Sequence, residues 1–290
     1  MKSIRIDHLT EYRFFEPVTL LEHRMLLRPR EGHSVRVASS ELSIEPAATL
    51  RWQRDPLDNS VALAAFRDRG TFLRIASRVV IEHFEETPFD FIVEAAAVTY
   101  PFSYAPKDAL LLGPFMQPSW PTDAPVLDRW LAGLGFSGQS IETFVLLDQL
   151  NRSIHDRFRY QAREQPGVQS PATTLGRGSG SCRDFAALFI ESCRRLGLAS
   201  RFVSGYLSCP TDTAVVAAGA THAWAEVYLP GPGWKGFDPT CSTLTSTDHV
   251  AVAVAQHPED VPPVAGSFLG SLQARPDLKV SVRVEPTPSA

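Results

Sequence analysis

The hydrophobic pattern changes period once along this chain, and that change limits the folds open to it. Up to about residue 100, the runs KSIRIDHL, HSVRVASSELSIE, TLRWQRD, NSVALAAF and TFLRIASRVVIEHF alternate polar with apolar residues or carry β-branched stretches. Alternation lays one face of each strand on a core. Turn residues separate the runs, DPLDN at 55–59 and DRG at 68–70, so the strands pair antiparallel through short connections. An N-terminal antiparallel β-sandwich or barrel over residues 1–105 is the expectation. YPFSYAPKD and GPFMQPSWPTDAP then crowd prolines with aromatics, which reads as a linker near 100–120.

Over residues 106–290 the spacing becomes helical and then returns to strands. Asp123 is the expected cap of VLDRWLAGLG and Ser140 the expected cap of IETFVLLDQLNRSIHDRF. QAREQPGVQSPATTLGRGSGS follows as a loop of about twenty residues, a length usually kept for function or mobility. A helix starts at Cys182, with Phe185, Leu188, Phe189 and Leu196 inward and Arg194 and Arg195 suiting its C-terminal dipole. SRFVSGYL, THAWAEVYLP, GWKGFDPT, HVAVAVA and KVSVRVEP read as strands, two of them joined by LPGPGW at 229–234. The fold class is therefore α+β, a β-domain followed by helices packed on an antiparallel sheet.

Composition removes several functions. Lys and Arg number 28 against 32 Asp and Glu, a net charge of −4, without the basic face a nucleic-acid partner requires. The start MKSIRIDHLTEYRFFEPV has no apolar core like that of a signal peptide, and no run nears the ~18 apolar residues of a membrane span. No membrane partner and a cytoplasmic location follow as expectations. The four cysteines, Cys182, Cys193, Cys209 and Cys241, form no CxxC pair. No metal site and no cofactor are expected from them.

One stretch points to chemistry. In GRGSGSCRDFAALF three glycines and two serines deliver Cys182 to a helix start. A helix N-terminus lowers a thiol's pKa, and glycines let a substrate approach. His222 and Asp238 flank the short turn at 230–233, so a hairpin makes them cross-strand neighbours. Nucleophile, base and orienting acid are thus present in order, and the Cys182 N–H at the helix end is a natural oxyanion donor. GRGSG lacks the third glycine of a dinucleotide site and the GK[ST] of a phosphate loop, and neither Ser179 nor Ser181 sits in a GxSxG elbow. Cys182, His222 and Asp238 have metal-ligand chemistry, but a thiolate nucleophile accounts better for the glycine loop.

GSGSCRDFAALFIESCRRLGLASRFVSGYL with THAWAEVYLPGPGWKGFDPT resembles the core of the bacterial transglutaminase-like family, part of the papain-like cysteine superfamily. HLTEYRFFEPV, HRMLLRPR and WQRDPLDNSVALAAF resemble the β-domain ahead of that core, and the tail HVAVAVAQHPEDVPPVAGSFLG extends the likeness over nearly the whole chain. The resemblance implies Cys182 as nucleophile, His222 as general base and Asp238 as orienting acid. It implies a peptide or protein amide substrate attacked through a thioester, with water or a primary amine as acceptor, and peptidase or amidase chemistry favoured. A catalytically idle binding module is the alternative of another class. Tyr160 is placed for oxyanion-side support or for the core. Ser181 and Asp184 are placed to support the helix start. Trp224, two residues past His222, would wall a substrate groove or pack, and Gly205 and Tyr206 are candidates for lining it.

Overall fold

The computed structural model describes residues 1–84, 87, 89–136, 140–163, 165–208 and 221–287. The first half is built on β1 (Lys2–Met25), β2 (Val35–Glu45), β3 (Ala48–Arg54), β4 (Ser60–Phe66) and β5 (Arg69–His83). In β1 the sequence IRIDHLT buries every second residue, Ile4, Ile6, His8 and Thr10, as period-two patterning requires. Its first part pairs with β5, and its last residues pair with β4 after a register shift between Arg13 and Val18. One long strand thus runs through both ends of a near-barrel sheet.

The second half contains β6 (Thr99–Tyr100), α1 (Pro106–Met116), α2 (Ala124–Gly133), β7 (Ile141–Glu142), α3 (Thr143–Arg157), β8 (Arg159–Tyr160), α4 (Pro171–Arg177), β9 (Ser179–Gly180) and α5 (Cys182–Arg195). After them come β10 (Ser200–Leu207), β11 (His222–Leu229), β12 (Gly233–Asp238), β13 (Thr243–Leu244) and β14 (His249–Ala255). These last five form an antiparallel sheet in the order β13-β12-β11-β10-β14. α5 packs on β10 and β11 under α1, α2, α3 and α4. Of its fourteen residues only Arg183 and Arg195 are not buried. Among the described residues no helix is long and apolar enough to cross a membrane.

The chain then returns to its beginning. β15 (Val264–Leu269) and β16 (Pro276–Thr287) both pair antiparallel with β1, so KVSVRVEP belongs to the first sheet and not to the second. Alternation reports that a segment is a strand and which face it buries; it carries no information on which open edge it will join. The two halves are tied elsewhere too. An apolar cluster is continuous from Ile4, Ile6, Val79 and Ile81 to Phe185, Leu188 and Phe189. The Asn59 side chain accepts from the Val254 N–H and donates to the Val254 carbonyl, each at 2.8 Å. The DPLDN turn thereby docks on the β14 edge, a role beyond turning the chain.

Three local expectations are corrected. α3 starts at Thr143 and is not capped by Ser140, because Ile141 and Glu142 pair with Tyr100 and Thr99 and Thr143 bonds Val98 and Ala97 carbonyls. Asp123 makes no cap bond to α2; its carboxylate accepts the Ala172 N–H at 2.8 Å and so secures the start of α4. α4 itself lies inside the segment read as a structureless loop. Its ends carried ordinary signals: Ser170 accepts from the Thr173 N–H, Pro171 is the first helical residue, and Gly178 closes it in the left-handed region at φ 64°.

Arg194 is likewise more than a dipole partner. It is 5% exposed, pairs with Glu191 at 2.7 Å and donates to the carbonyls of Phe115, Ser200 and Gln256. Glu191 accepts the N–H groups of Ser119 and Trp120. A buried pair with its lone pairs and N–H groups filled is the tolerable kind, and this one locks α5 to the linker helices.

Candidate active site

Three elements meet at Cys182. The parallel pair β8–β9 brings Tyr160 opposite Gly180, which fixes the segment entering α5. A Cβ on Gly180 would come within 2.9 Å of the Asp184 Cβ and 3.2 Å of the Phe185 ring. Gly178 and Gly180 thus serve the end of α4 and the close packing of the loop on α5. Tyr160 is half-buried, its ring 6.4 Å from that of Phe185.

Asp184 organises the helix start. Its carboxylate accepts the Ser181 N–H (2.8 Å) and hydroxyl (2.9 Å), the Gln169 N–H (2.8 Å) and side-chain amide (3.1 Å), and Arg163 (2.7 Å). Burial would raise this carboxyl, but the Gln169 and Ser181 N–H groups, Arg163 and the Ser181 hydroxyl hold it below the ordinary range. The contribution of Asp184 is therefore tertiary as well as dipolar. Arg163 and Gln169 carried no sequence signal, since their loop has no periodicity to interpret.

Cys182 is the first residue of α5 and 7% exposed. The β11–β12 register, Ala225 opposite Phe237 and Leu229 opposite Gly233, sets Asp238 diagonal to His222. The His222 Nε2–H donates to Asp238 Oδ2 at 2.6 Å, and both residues are fully buried. Nδ1 has no well-formed hydrogen bond among the described residues and is the nitrogen left for the thiol. Burial would lower the His222 imidazole, but the Asp238 charge and hydrogen bond, with the Cys182 thiol beside it, push it up to about 10. Asp238 also accepts the Thr240 N–H on Oδ1 (2.9 Å) and His249 Nε2 on Oδ2 (3.1 Å). Burial would raise this carboxyl, yet the His222 charge and the two imidazoles hold it well below the usual carboxylate range.

His249 was not anticipated. It follows Asp238 by eleven residues on a strand separated from β12 by two others, and spacing alone cannot reveal such a contact. Cys241 also comes close: its sulfur, an His222 nitrogen and an Asp238 oxygen lie within 4.8 Å of one another. Cys182, Cys193 and Cys241 form no disulfide, and Cys209 lies outside the described residues. Cys193 is fully buried in α5.

Burial corrects the expectation that Gly205 and Tyr206 line a cleft, and of the two readings open for Trp224 it is packing that the structure has. Tyr206 is 1% exposed, and its hydroxyl meets His8 Nδ1 of β1 at 2.9 Å, joining the halves. Trp224 is 2% exposed and packs with Val203 and Val254. Its ring lies on Gly205, where a Cβ would come within 2.6 Å of the indole and 2.3 Å of the Val250 carbonyl. Gly205→Ala is therefore expected to lower stability by ~1–3 kcal/mol, the usual cost of overpacking, and to displace Trp224. Thermal unfolding checks it; an unchanged midpoint would show that the seat is loose.

A cysteine on the N-terminus of a buried helix, facing a histidine and an acid from adjacent strands, defines a papain-like cysteine fold. The chain belongs to the transglutaminase-like superfamily, whose core model matches residues 141–239, while residues 4–82 match the bacterial transglutaminase-like N-terminal region. Uncharacterized proteins of Mycobacterium tuberculosis and Mycobacterium bovis are each 30% identical over 273 residues, spanning 90% of this chain and 86% of theirs. A crystal structure from Cytophaga hutchinsonii, provisionally described as a cysteine protease, superposes with a TM-score of 0.74 at 17% identity. It covers 100% of this chain and 92% of the other.

Proposed function

We propose that the protein is a cysteine-dependent acyl-transfer enzyme acting on amide or peptide bonds through a thioester, with water as its usual acceptor. The observation that carries this reading is the buried His222–Asp238 hydrogen bond at 2.6 Å beside the thiol that opens α5. A buried carboxylate that keeps an imidazole charged next to a thiol is an arrangement for nucleophilic catalysis.

In this reading the Cys182 sulfur attacks the substrate carbonyl carbon, and the N–H groups at the start of α5 face the developing oxyanion. The His222 imidazolium gives its proton to the leaving nitrogen as the C–N bond breaks, and an amine departs. His222, now neutral, takes a proton from the incoming water, whose oxygen displaces the sulfur. The products are a carboxylic acid and the regenerated thiol–imidazole pair. Asp238 stays ionised throughout and orients the ring. A primary amine in place of water would transfer the acyl group instead, which requires a site that excludes water.

Incubation of a peptide pool with the enzyme, with and without an added primary amine, separates these outcomes by mass spectrometry. New peptide termini or deamidated side chains are expected. Amine conjugates with loss of ammonia would make the enzyme a transglutaminase, and no product of either kind would overturn acyl transfer.

A further inference from the structure

We propose that His249 is a positioning residue for Asp238, so that the acid of the triad is held by two imidazoles of which only one serves the thiol. The inference rests on the acyl-transfer reading above and concerns how that site is kept in register.

The geometry of His249 is over-determined. The Ser246 N–H donates to its Nδ1 at 3.3 Å. A backbone N–H can only donate, so Nδ1 is the acceptor and the ring proton sits on Nε2. That Nε2–H points to Asp238 Oδ2 at 3.1 Å. The turn presenting Ser246 is itself anchored: Lys2 of β1 forms an ion pair with Asp248, and the Ser208 N–H bonds the Asp248 carbonyl at 2.8 Å. The His249 ring is 7% exposed and stands edge-on to Trp224 at 5.2 Å. The indole in turn lies on the bare backbone of Gly205. Gly205, Trp224 and His249 form one stack, backing the acid from the side away from α5.

The consequence follows from counting donors at the carboxylate. Oδ1 is held by the Thr240 N–H, and Oδ2 by His222 and His249. Without His249, the carboxylate has one anchor besides the imidazole it must orient, and rotation about its own bond would lengthen the Oδ2–Nε2 contact. The ring centre of His249 is 6.2 Å from that of His222, and its described hydrogen bonds go to Asp238 and Ser246. Its committed Nδ1 prevents it from substituting as a base. It therefore acts through Asp238, as an outer partner that fixes the orientation of an inner one. The ionisable groups at this cluster include Asp238, His222 and Cys241, with Asp248 and Lys2 behind the turn and Arg30, His83, Glu226 and Lys235 lining the cavity beside Trp224 and His249.

The test is the rate at which iodoacetamide alkylates Cys182 between pH 5 and 9, followed on the Cys182 peptide in the full-length chain. Wild type is compared with His249→Gln, which keeps an N–H donor, and His249→Met, which does not. The Met variant is expected to react about tenfold more slowly at pH 6, with its profile moved toward that of an ordinary thiol, and the Gln variant to stay within about threefold of wild type. Equal rates in all three, or equal losses in both variants, would overturn the proposal. A second measurement needs no variant: the nitrogen chemical shifts of His249 in wild type should report a proton on Nε2 and none on Nδ1. A proton on Nδ1 would overturn the proposal even if the Met chain does not fold. A wild-type Cys182 that reacts like a model thiol at pH 6 would instead remove the activated-nucleophile reading, with the His249 nitrogen shifts still deciding the tautomer.

Discussion

Cys182→Ala is expected to abolish turnover while the chain remains folded. The substitution removes one sulfur from the first turn of α5, leaving untouched the Asp184 network that secures the helix start and the apolar face carried by Phe185, Leu188 and Phe189. Without the sulfur no thioester forms, and losses on the order of 10⁶ accompany removal of a triad nucleophile elsewhere. Cys182→Ser is the sharper control. It keeps the size and polarity of the group but replaces a ready thiolate by an alcohol that is scarcely ionised at neutral pH, and it too should be inactive. Turnover of the peptide pool measures activity, and circular dichroism with thermal unfolding measures the fold. Retained activity in the alanine variant would mean that another group attacks, and Cys241, the sulfur near His222 and Asp238, would be examined next.

The residues of this site differ in how far the sequence disclosed them, for a physical reason. Cys182, His222 and Asp238 were legible because each sits at a fixed offset from a local landmark: a helix start, or one side of a tight turn. The LPGPGW turn sets the register of β11 against β12, and register sets the diagonal contact. His249 reaches the same carboxylate from a strand on the far side of β10, and that contact depends on strand order, which periodicity does not encode. The same limit governs β16, legible as a strand in KVSVRVEP and silent about which sheet would take it; β15, six residues with a glycine and a serine inside, did not show as a strand at all. α4 was hidden for a different reason: seven residues are too few to show a helical period, although Ser170, Pro171 and Gly178 marked both ends. Trp224 illustrates a third case. Two-residue spacing put it on the face of His222, but only Gly205, diagonal to it on the neighbouring strand, made room for the indole, so a candidate groove wall became a buried backing.

Asp238→Asn carries the second large expectation, a loss of several orders of magnitude, comparable to the ~10⁴ seen when a triad aspartate elsewhere becomes asparagine. All three groups that touch the carboxylate are donors: His222 Nε2–H, His249 Nε2–H and the Thr240 N–H. Asparagine offers one acceptor oxygen and one NH₂. With its oxygen toward the imidazoles, the NH₂ meets the Thr240 N–H. Turned around, the NH₂ meets two ring N–H groups, and His249 cannot move its proton to Nδ1 while the Ser246 N–H points there. His222 can, and would then present Nδ1–H to the thiol, a donor where a base is required. Stability should follow pH in a definite sense. His222 is raised in the folded chain to about 10, so its contribution is complete below ~6.5 and declines above that pH until the folded group itself deprotonates. Asp238 is lowered, so its contribution is complete above ~3.9 and is lost as pH falls. The stability gap between wild type and Asp238→Asn should therefore be widest between about pH 4 and 6.5 and narrow steadily toward pH 10. Urea unfolding at a series of pH values measures it. A gap that widens with rising pH would show that His222 is not held protonated by Asp238, and a rate loss under tenfold would reduce Asp238 to a residue that merely ends β12.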